Sequence, residues 1–532
     1  MDRRLTVIFI LLFVLYLSGT RFSLDGYELE YVLSAMNVVH GNGPSLAPGY
    51  TDCPGIHDTT GPIPVYPRQN LLQTVLSVPL YATGAVLFGE QPTIPNRGGY
   101  WNLPWGPVAA VSCLNPLLAA LIAVWTALLA GEFGIAPHQR PRIAVVTGTM
   151  TMIWHYAGLG MEILHTAVLT GCVLAAIRFR FTGRNRWLMA AIIGIVALPN
   201  CKKHSFIFIV PVIVYLAWAA TRHHSHTVSR AVIGTTLAAA VLGGICMVIG
   251  AVIRFQADPF LFPSLLRNIT ASGFKSVDLL AGLTLSPGEG LFVFNPILLF
   301  AAAGWPSFNR AYPAEARLFT AFTVILLVVL WRIPYILIDE EWGPRYLVCL
   351  LPMMIAAGAP RLIAHRKGIA KILFVAVICI SLLVHWVSAM YLGFKIVDAS
   401  LGVSITDYMV TVFLPSQSQM YVMMTCFGSH IRYLVTGEHG LLIYRQYRTY
   451  TGRGGDFLIH RLDLGSYDYP AGGLFTIRWV LNEMERPSFS EQRAFLIRVT
   501  MDLLLLAGLG WVSWIRRKNQ PDGSIIGPDP VR

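Results

Sequence analysis

Four short groups of polar residues stand out in this 532-residue chain, each where apolar sequence gives way to a loop. The first is Leu24-Asp25-Gly26-Tyr27-Glu28-Leu29-Glu30-Tyr31, with three carboxylates inside six residues. On a helix, Asp25 and Glu28 are i,i+3 neighbours and share a face. A carboxylate so placed can take a proton from a hydroxyl as a general base. It can equally be an acidic first turn, favoured by the helix dipole. The second group is Lys202-Lys203-His204, between two apolar runs. Two lysines there are costly unless an anion such as a lipid phosphate meets them; the structural alternative is snorkelling to headgroups. The third is Glu162 with His165, again i,i+3, either a functional acid or a pair holding two helices together. The fourth is Asp339-Glu340-Glu341-Trp342-Gly343-Pro344-Arg345-Tyr346. Here Arg345 can offer a bidentate fork to a phosphate, or pair with Glu341.

Weaker candidates surround these. Asp52, His57, Asp58 and Arg68 lie among many Gly and Pro. Asp and His together can hold a divalent ion, although polar loop residues are the commoner reading. Ser286-Pro287-Gly288-Glu289-Gly290-Leu291 is a turn whose glycines let backbone approach a ligand closely. His223, His224 and His226 fall in a basic loop and read as solvated.

The elements that must position these residues follow from composition. The chain is 55% hydrophobic and 13% charged, where a soluble protein carries about 25% charged residues. Mean hydropathy is +0.58. Disorder is excluded by the apolar content. A nucleic-acid partner is excluded because the basic residues are spread thinly between apolar runs. The fold class expected is an all-α polytopic membrane protein. Stretches long enough to cross a hydrocarbon core occur at 5–20, 107–130, 143–160, 163–178, 187–200, 205–220, 231–253, 290–304, 318–335, 346–361, 371–393 and 496–514. A thirteenth, 71–89, contains Pro79 and reads as a juxtamembrane or re-entrant helix.

The positive-inside rule orients these spans. With Met1 cytoplasmic, the loops 131–142, 178–186, 221–230, 305–317 and 361–371 and the tail collect the arginines and lysines on one side. The net charge of +12 is then an inside excess, and the outer face is close to neutral. The first span has a basic start but no clear cleavage site, and reads as a retained helix. Three outer segments are long: 21–106, 254–289 and 394–495. In the last, Leu441–Tyr450 and Asp456–Leu464 alternate as strands do, which suggests a small mixed α/β segment before the last helix. Cys53 and Cys426 lie in outer segments where a disulfide is one option. No internal repeat of the transporter kind is evident.

The outer-face groups together resemble the GT-C superfamily of membrane glycosyltransferases, which includes the protein mannosyltransferases and the lipid A aminoarabinose transferase. Asp25-Gly26-Tyr27-Glu28-Leu29-Glu30-Tyr31 is similar to an Asp-Gly-x-Glu-x-x-Tyr stretch that opens the first outer loop in a bacterial branch. Ser286-Pro287-Gly288-x-Gly290-Leu291 up to Asn295-Pro296 is similar to a later signature of that branch. So is Trp342-Gly343-Pro344-Arg345-Tyr346-Leu347 up to Leu351-Pro352. The likeness spans roughly 1–395. It departs at Glu289, where a basic residue is common, and at Lys202-Lys203, where a single Arg is more usual.

The resemblance implies a catalytic membrane region over 1–395; it does not extend to 394–495, which the charge topology makes an extracytoplasmic segment, followed by a last helix with cytoplasmic tail over 496–532. It implies inverting transfer from a polyprenyl-phosphate-sugar donor to a glycan, lipid or protein acceptor, on the outer face of a bacterial cytoplasmic membrane. Asp25 would be the general base, with Glu28 beside it. Lys202, Lys203 and Arg345 would hold the donor phosphate. Glu30, Tyr31, His57, Asp58, Glu162, His165 and Glu341 would line the substrate site. Relatives of the protein mannosyltransferase type need no metal or other cofactor, and that is the expectation here; oligosaccharyltransferase relatives use a divalent ion. Two alternatives remain: a transporter or flippase for a lipid-linked sugar, and a polyprenyl-linked glycan ligase or polymerase working through residues such as His460 and Arg461.

Overall fold

A computed structural model describes residues 2–19, 27–43, 71–90, 93–95, 102–158, 162–223, 276–331, 343–364, 366–390, 447–449, 458–460 and 491–514, with isolated positions in 234–245 and 418–428. Among these residues, six helices are long and apolar enough to cross a membrane: Gly106–Glu132, Ile163–Thr182, Ser205–Arg222, Pro313–Leu330, Arg345–Ile363 and Gly368–Ala389. The chain is thus a helical, multi-pass membrane protein. The expected span 231–253 lies outside the continuously described residues.

In chain order, α1 is Arg3–Gly19, α2 Tyr27–Val39 and α3 Leu71–Phe88. A strand pair, β1 (Thr93–Pro95) with β2 (Asn102–Pro104), leads into α4 (Trp105–Ser112). Helix α5 (Leu114–Glu132) follows after a break at Cys113. Pro116 explains that break, because it has no N–H to offer the carbonyl four residues back. Next come α6 (Arg140–Thr149), α7 (Ile153–Ala157), α8 (Ile163–Thr182), α9 (Asn185–Ala197) and α10 (Ile209–His223). Beyond the gap lie α11 (Ser276–Leu285), α12 (Leu291–Phe294), α13 (Leu298–Ala302), α14 (Trp305–Ala311), α15 (Pro313–Trp331), α16 (Leu351–Ile363) and α17 (Gly368–Met390). Short β3 (Tyr447–Thr449) pairs antiparallel with β4 (Leu458–His460), inside the two stretches that alternate. Helix α18 (Glu491–Trp514) completes the set.

The basic residues mark one end of the bundle. Arg178 pairs with Glu132 at 2.8 Å. Arg180 pairs with buried Glu315, which also accepts the Tyr215 hydroxyl. Arg180 and Arg222 both lie over the Trp218 ring, and Arg142 lies over Trp514 at 4.2 Å. Arg140 is within electrostatic range of Glu132, Arg178 and Asp2. The starts of α1, α6 and α15 therefore meet the ends of α5, α8, α10 and α18 in one layer. This alternation of direction is the one the loop charges call for.

Helix α1 packs antiparallel on α18. Ser18 Oγ donates to Asp502 Oδ1 at 2.9 Å, while a Cβ on Gly508 would sit 3.8 Å from Leu11. Trp386 Nε1 and Arg498 Nε donate to Asp502 Oδ2 at 3.1 and 2.9 Å, so α17 joins the same buried network. Helix α13 lies against α16 at Gly358, where a Cβ would come within 2.3 Å of the Ala301 Cα. Small residues at such contacts let membrane helices approach closely.

Helix α3 runs beside α4 and reaches only the first turn of α5. Phe88 faces Gly106, and Gln73 Nε2 donates to Asn115 Oδ1 at 3.3 Å.

Two expected continuous spans are interrupted. The stretch 143–160 breaks at Met150–Met152, between α6 and α7; the stretch 290–304 breaks at Asn295–Ile297, between α12 and α13. The breaks face each other. Asn295 Oδ1 accepts the Met152 N–H at 2.8 Å, and Asn295 Nδ2 donates to the Leu291 carbonyl at 3.0 Å. In a membrane, irregular backbone survives where protein groups satisfy it, and fully buried Asn295 does this for both segments.

Candidate functional site

At the end opposite the arginine layer, the starts of α8, α10 and α16 converge. Glu162 stands at the N-cap of α8, where the positive end of the helix favours a carboxylate. Its carbonyl accepts both the backbone N–H and the hydroxyl of Thr166, at 3.0 and 2.7 Å, which fixes the turn. The side chain is fully buried. One turn on, His165 places Nδ1 3.9 Å from Glu162 Oε2, and its ring tilts against Phe208 at 5.6 Å.

Lys202 arrives from the next hairpin. Leu198–Asn200 tightens to a 3-10 turn after α9, Lys202 is extended, and a second 3-10 turn runs over Lys203–Phe208 into α10. This carries Lys202 Nζ onto Glu162 Oε1 in a direct ion pair, with the lysine side chain 11% exposed. Next to it, burial pushes the Cys201 thiol well above its ordinary pKa, so that thiol stays protonated.

Arg345 comes from the start of the 3-10 turn Arg345–Leu350 that opens α16. Gly343 makes this approach possible. Its φ is +60°, and a Cβ there would sit 2.8 Å from the Phe294 ring and 3.3 Å from Met152. The Gly343-Pro344 corner therefore rests directly on the two facing breaks. Arg345 Nη2 donates to Tyr346 Oη at 3.0 Å, with its guanidinium 4.9 Å from the Tyr346 ring centroid. Lys202 Nζ lies 4.6 Å from that same ring. A tyrosine face attracts cations, so Tyr346 gathers both.

Two cations, one buried carboxylate and an imidazole thus share a small volume. Such a site suits a singly or doubly charged anion. Lys202, Arg345 and the Glu162–His165 pair, from three separate groups in the sequence, come together here. Tyr346 was read only as part of a motif, and its role as a shared platform was missed. Asn295 was missed likewise; its one signal was its place in the Asn295-Pro296 pair.

Glu30 and Tyr31 are buried on α2, which packs on α3. Glu28 lies on α2 and Lys203 opens its 3-10 turn, but their side chains are outside the described residues. Asp25, His57, Asp58 and Glu341 are outside them altogether, as are Cys53 and Cys426. The Ser286–Leu291 turn is tight: Gly290 N–H donates to Ser286 O at 2.8 Å, Glu289 N–H donates to Ser286 Oγ at 3.0 Å, and the Glu289 side chain is buried. No model of a known protein family matches the chain, and no curated protein matches it either.

Proposed function

We propose that this chain is an inverting membrane glycosyltransferase of the GT-C type. It moves a sugar from a polyprenyl-phosphate donor to a glycan, lipid or protein acceptor on the extracytoplasmic face of a bacterial cytoplasmic membrane. The observation that carries the reading is the convergence of Glu162, Lys202, Arg345 and Tyr346 at the end of the bundle away from the arginine layer. The positive-inside rule assigns that layer to the cytoplasm.

The chemistry asks for what this cluster offers. Asp25 takes the proton of the acceptor hydroxyl, and that oxygen attacks the anomeric carbon from the face opposite the phosphate. The bond from carbon to phosphate oxygen breaks, and negative charge grows on the leaving polyprenyl phosphate. Lys202 and Arg345 are fixed cations for that charge, held in place before the reaction by Glu162 and Tyr346. Lys203 and Glu28 assist as phosphate and carboxylate neighbours. The test is transfer from a labelled polyprenyl-phosphate sugar by the purified chain in detergent. Asp25→Asn abolishes it while the protein remains folded and inserted; full activity in that variant sinks the mechanism, and loss with His460→Ala or Arg461→Ala instead favours a ligase or polymerase.

A second reading, transport of a lipid-linked sugar, draws on one observation: the facing breaks at Met152 and Asn295. Discontinuous helices are a device of transporters. Movement of the lipid-linked sugar across vesicles without a new glycosidic bond would favour that reading.

A further inference from the structure

Helix α10 carries one ridge from the side of the Glu162 cluster to the arginine layer. Val210, Val214, Trp218 and Arg222 follow one another along it at i,i+4, and Phe206 precedes them in the 3-10 turn. The other face of the helix is covered: Val212, Leu216, Ala219 and Ala220 are fully buried. The ridge is not. Phe206, Val210 and Val214 are 50%, 64% and 62% exposed. Trp218 is half-buried and Arg222 is exposed. The ridge thus runs from apolar side chains, through an indole, to a cation.

Its charged end is built for an anion. The Trp218 ring holds two guanidinium groups, Arg180 at 4.9 Å and Arg222 at 4.5 Å. The two arginines are close enough to repel each other. Buried Glu315 answers Arg180. Among the described residues no carboxylate pairs with Arg222, whose guanidinium rests on the Trp218 ring alone. Like charges held on one ring favour an anion beside the exposed member. The depth fits as well. The apolar span Ser205–Arg222 ends at Arg222. At about 1.5 Å per residue it is about 27 Å long, close to the hydrocarbon thickness of about 30 Å, so Arg222 reaches head-group level. From Val210 to Arg222 is about 18 Å, close to one leaflet of about 15 Å. One acyl chain with its phosphate therefore matches the ridge in length and in order. The arginine layer faces the cytoplasm by the charge rule, and the anionic lipids of that leaflet attract basic side chains near the surface.

We propose that this ridge binds one anionic phospholipid of the inner leaflet, with an acyl chain along Val210 and Val214 and the phosphate on Arg222. It stands whether or not the chain transfers sugar. A zwitterionic head group brings its own cation toward Arg180 and Arg222 and is disfavoured. The full chain is placed in nanodiscs of equal parts phosphatidylglycerol and phosphatidylcholine. Each lipid in turn carries a photoreactive diazirine at mid-chain, and adducts are mapped by mass spectrometry. In wild type, Ile209–His223 should take about fivefold more label from phosphatidylglycerol than from phosphatidylcholine, the preference expected of one arginine near the surface. Arg222→Gln should bring the two lipids within about twofold. Arg222 is exposed and outside any ion pair among the described residues, so this variant keeps the fold. Arg186→Gln is the control for general surface charge: Arg186 is also exposed and lies over a different ring, Trp187, so the α10 preference should persist. Equal labelling by the two lipids in wild type overturns the proposal. So does a preference that survives Arg222→Gln, or one lost equally in Arg186→Gln. Absence of label on Ile209–His223 overturns it too, and means that another segment of this chain or a partner covers the ridge.

Discussion

The Glu162–Lys202 pair can be made to report on stability and chemistry separately. Lys202→Met keeps the length of the side chain and removes its charge. Fully buried Glu162 then loses the lysine it pairs with directly. Breaking a buried pair from one side costs about 3–5 kcal/mol. Losing the ammonium from the Tyr346 face adds about 0.5–1 kcal/mol. Together, about 4 kcal/mol lowers the folded-to-unfolded ratio several hundredfold, since about 1.4 kcal/mol is tenfold. Adding Glu162→Gln removes the carboxylate that Lys202 paired with, so the double variant regains most of the loss, with a coupling energy above about 2 kcal/mol. Thermal or denaturant unfolding in detergent measures all three variants against wild type. Transfer activity is then read on the stable double variant. It should be lost, because the Lys202 cation that shares Tyr346 with Arg345 is gone. Wild-type stability in Lys202→Met refutes the buried pair. A stable double variant with undiminished activity refutes the leaving-group role.

Three further outcomes follow from the fold. Asn295→Leu strands the Met152 N–H and should cost about 1–3 kcal/mol, seen as a lower unfolding midpoint and faster proteolysis between α6 and α7. Gly358→Leu forces a side chain into the Ala301 backbone, where a Cβ alone would come within 2.3 Å. It should destabilise by about 1–3 kcal/mol, partly relieved by Ala301→Gly. Asp502→Asn leaves the buried Arg498 without a counter-charge and should cost about 3 kcal/mol. An exposed pair, worth at most about 1 kcal/mol, would show almost no shift in the same unfolding assay.

Most of the helical layout was legible because apolar length is a local property. The stretch 163–178 lies within α8, and the described parts of 318–335 and 371–393 lie within α15 and α17. The breaks inside 143–160 and 290–304 were not legible, since hydropathy averages over them. What permits each break is the other segment, through a side chain 143 residues away. Broken helices are what a transporter would carry, so these breaks are the feature that supports that second reading. The site shows the same division. Glu162 and His165 were visible as an i,i+3 pair, and the two cations as charges out of place. That Lys202 closes on Glu162 across 40 residues, and that both cations meet on Tyr346, depends on how hairpins stack. Glu315 read as one more cytoplasmic acid. It is fully buried under Arg180 and Tyr215, because the start of α15 is covered by the ends of α8 and α10.

The network at Asp502 bears on how such a chain is assembled. Asp502 and Ser18 are 484 residues apart, so α1 must wait in the bilayer through most of synthesis before its partner emerges. A lone aspartate in a late helix would resist entering lipid. Arg498, one turn earlier on the same helix, removes that difficulty by neutralising Asp502 within α18. The helix can enter as an internally compensated unit and only then dock, where Ser18 and Trp386 wait as fixed donors. The same carboxylate would thus act twice: first as half of a travelling pair, then as the latch that joins α18 to α1 and α17.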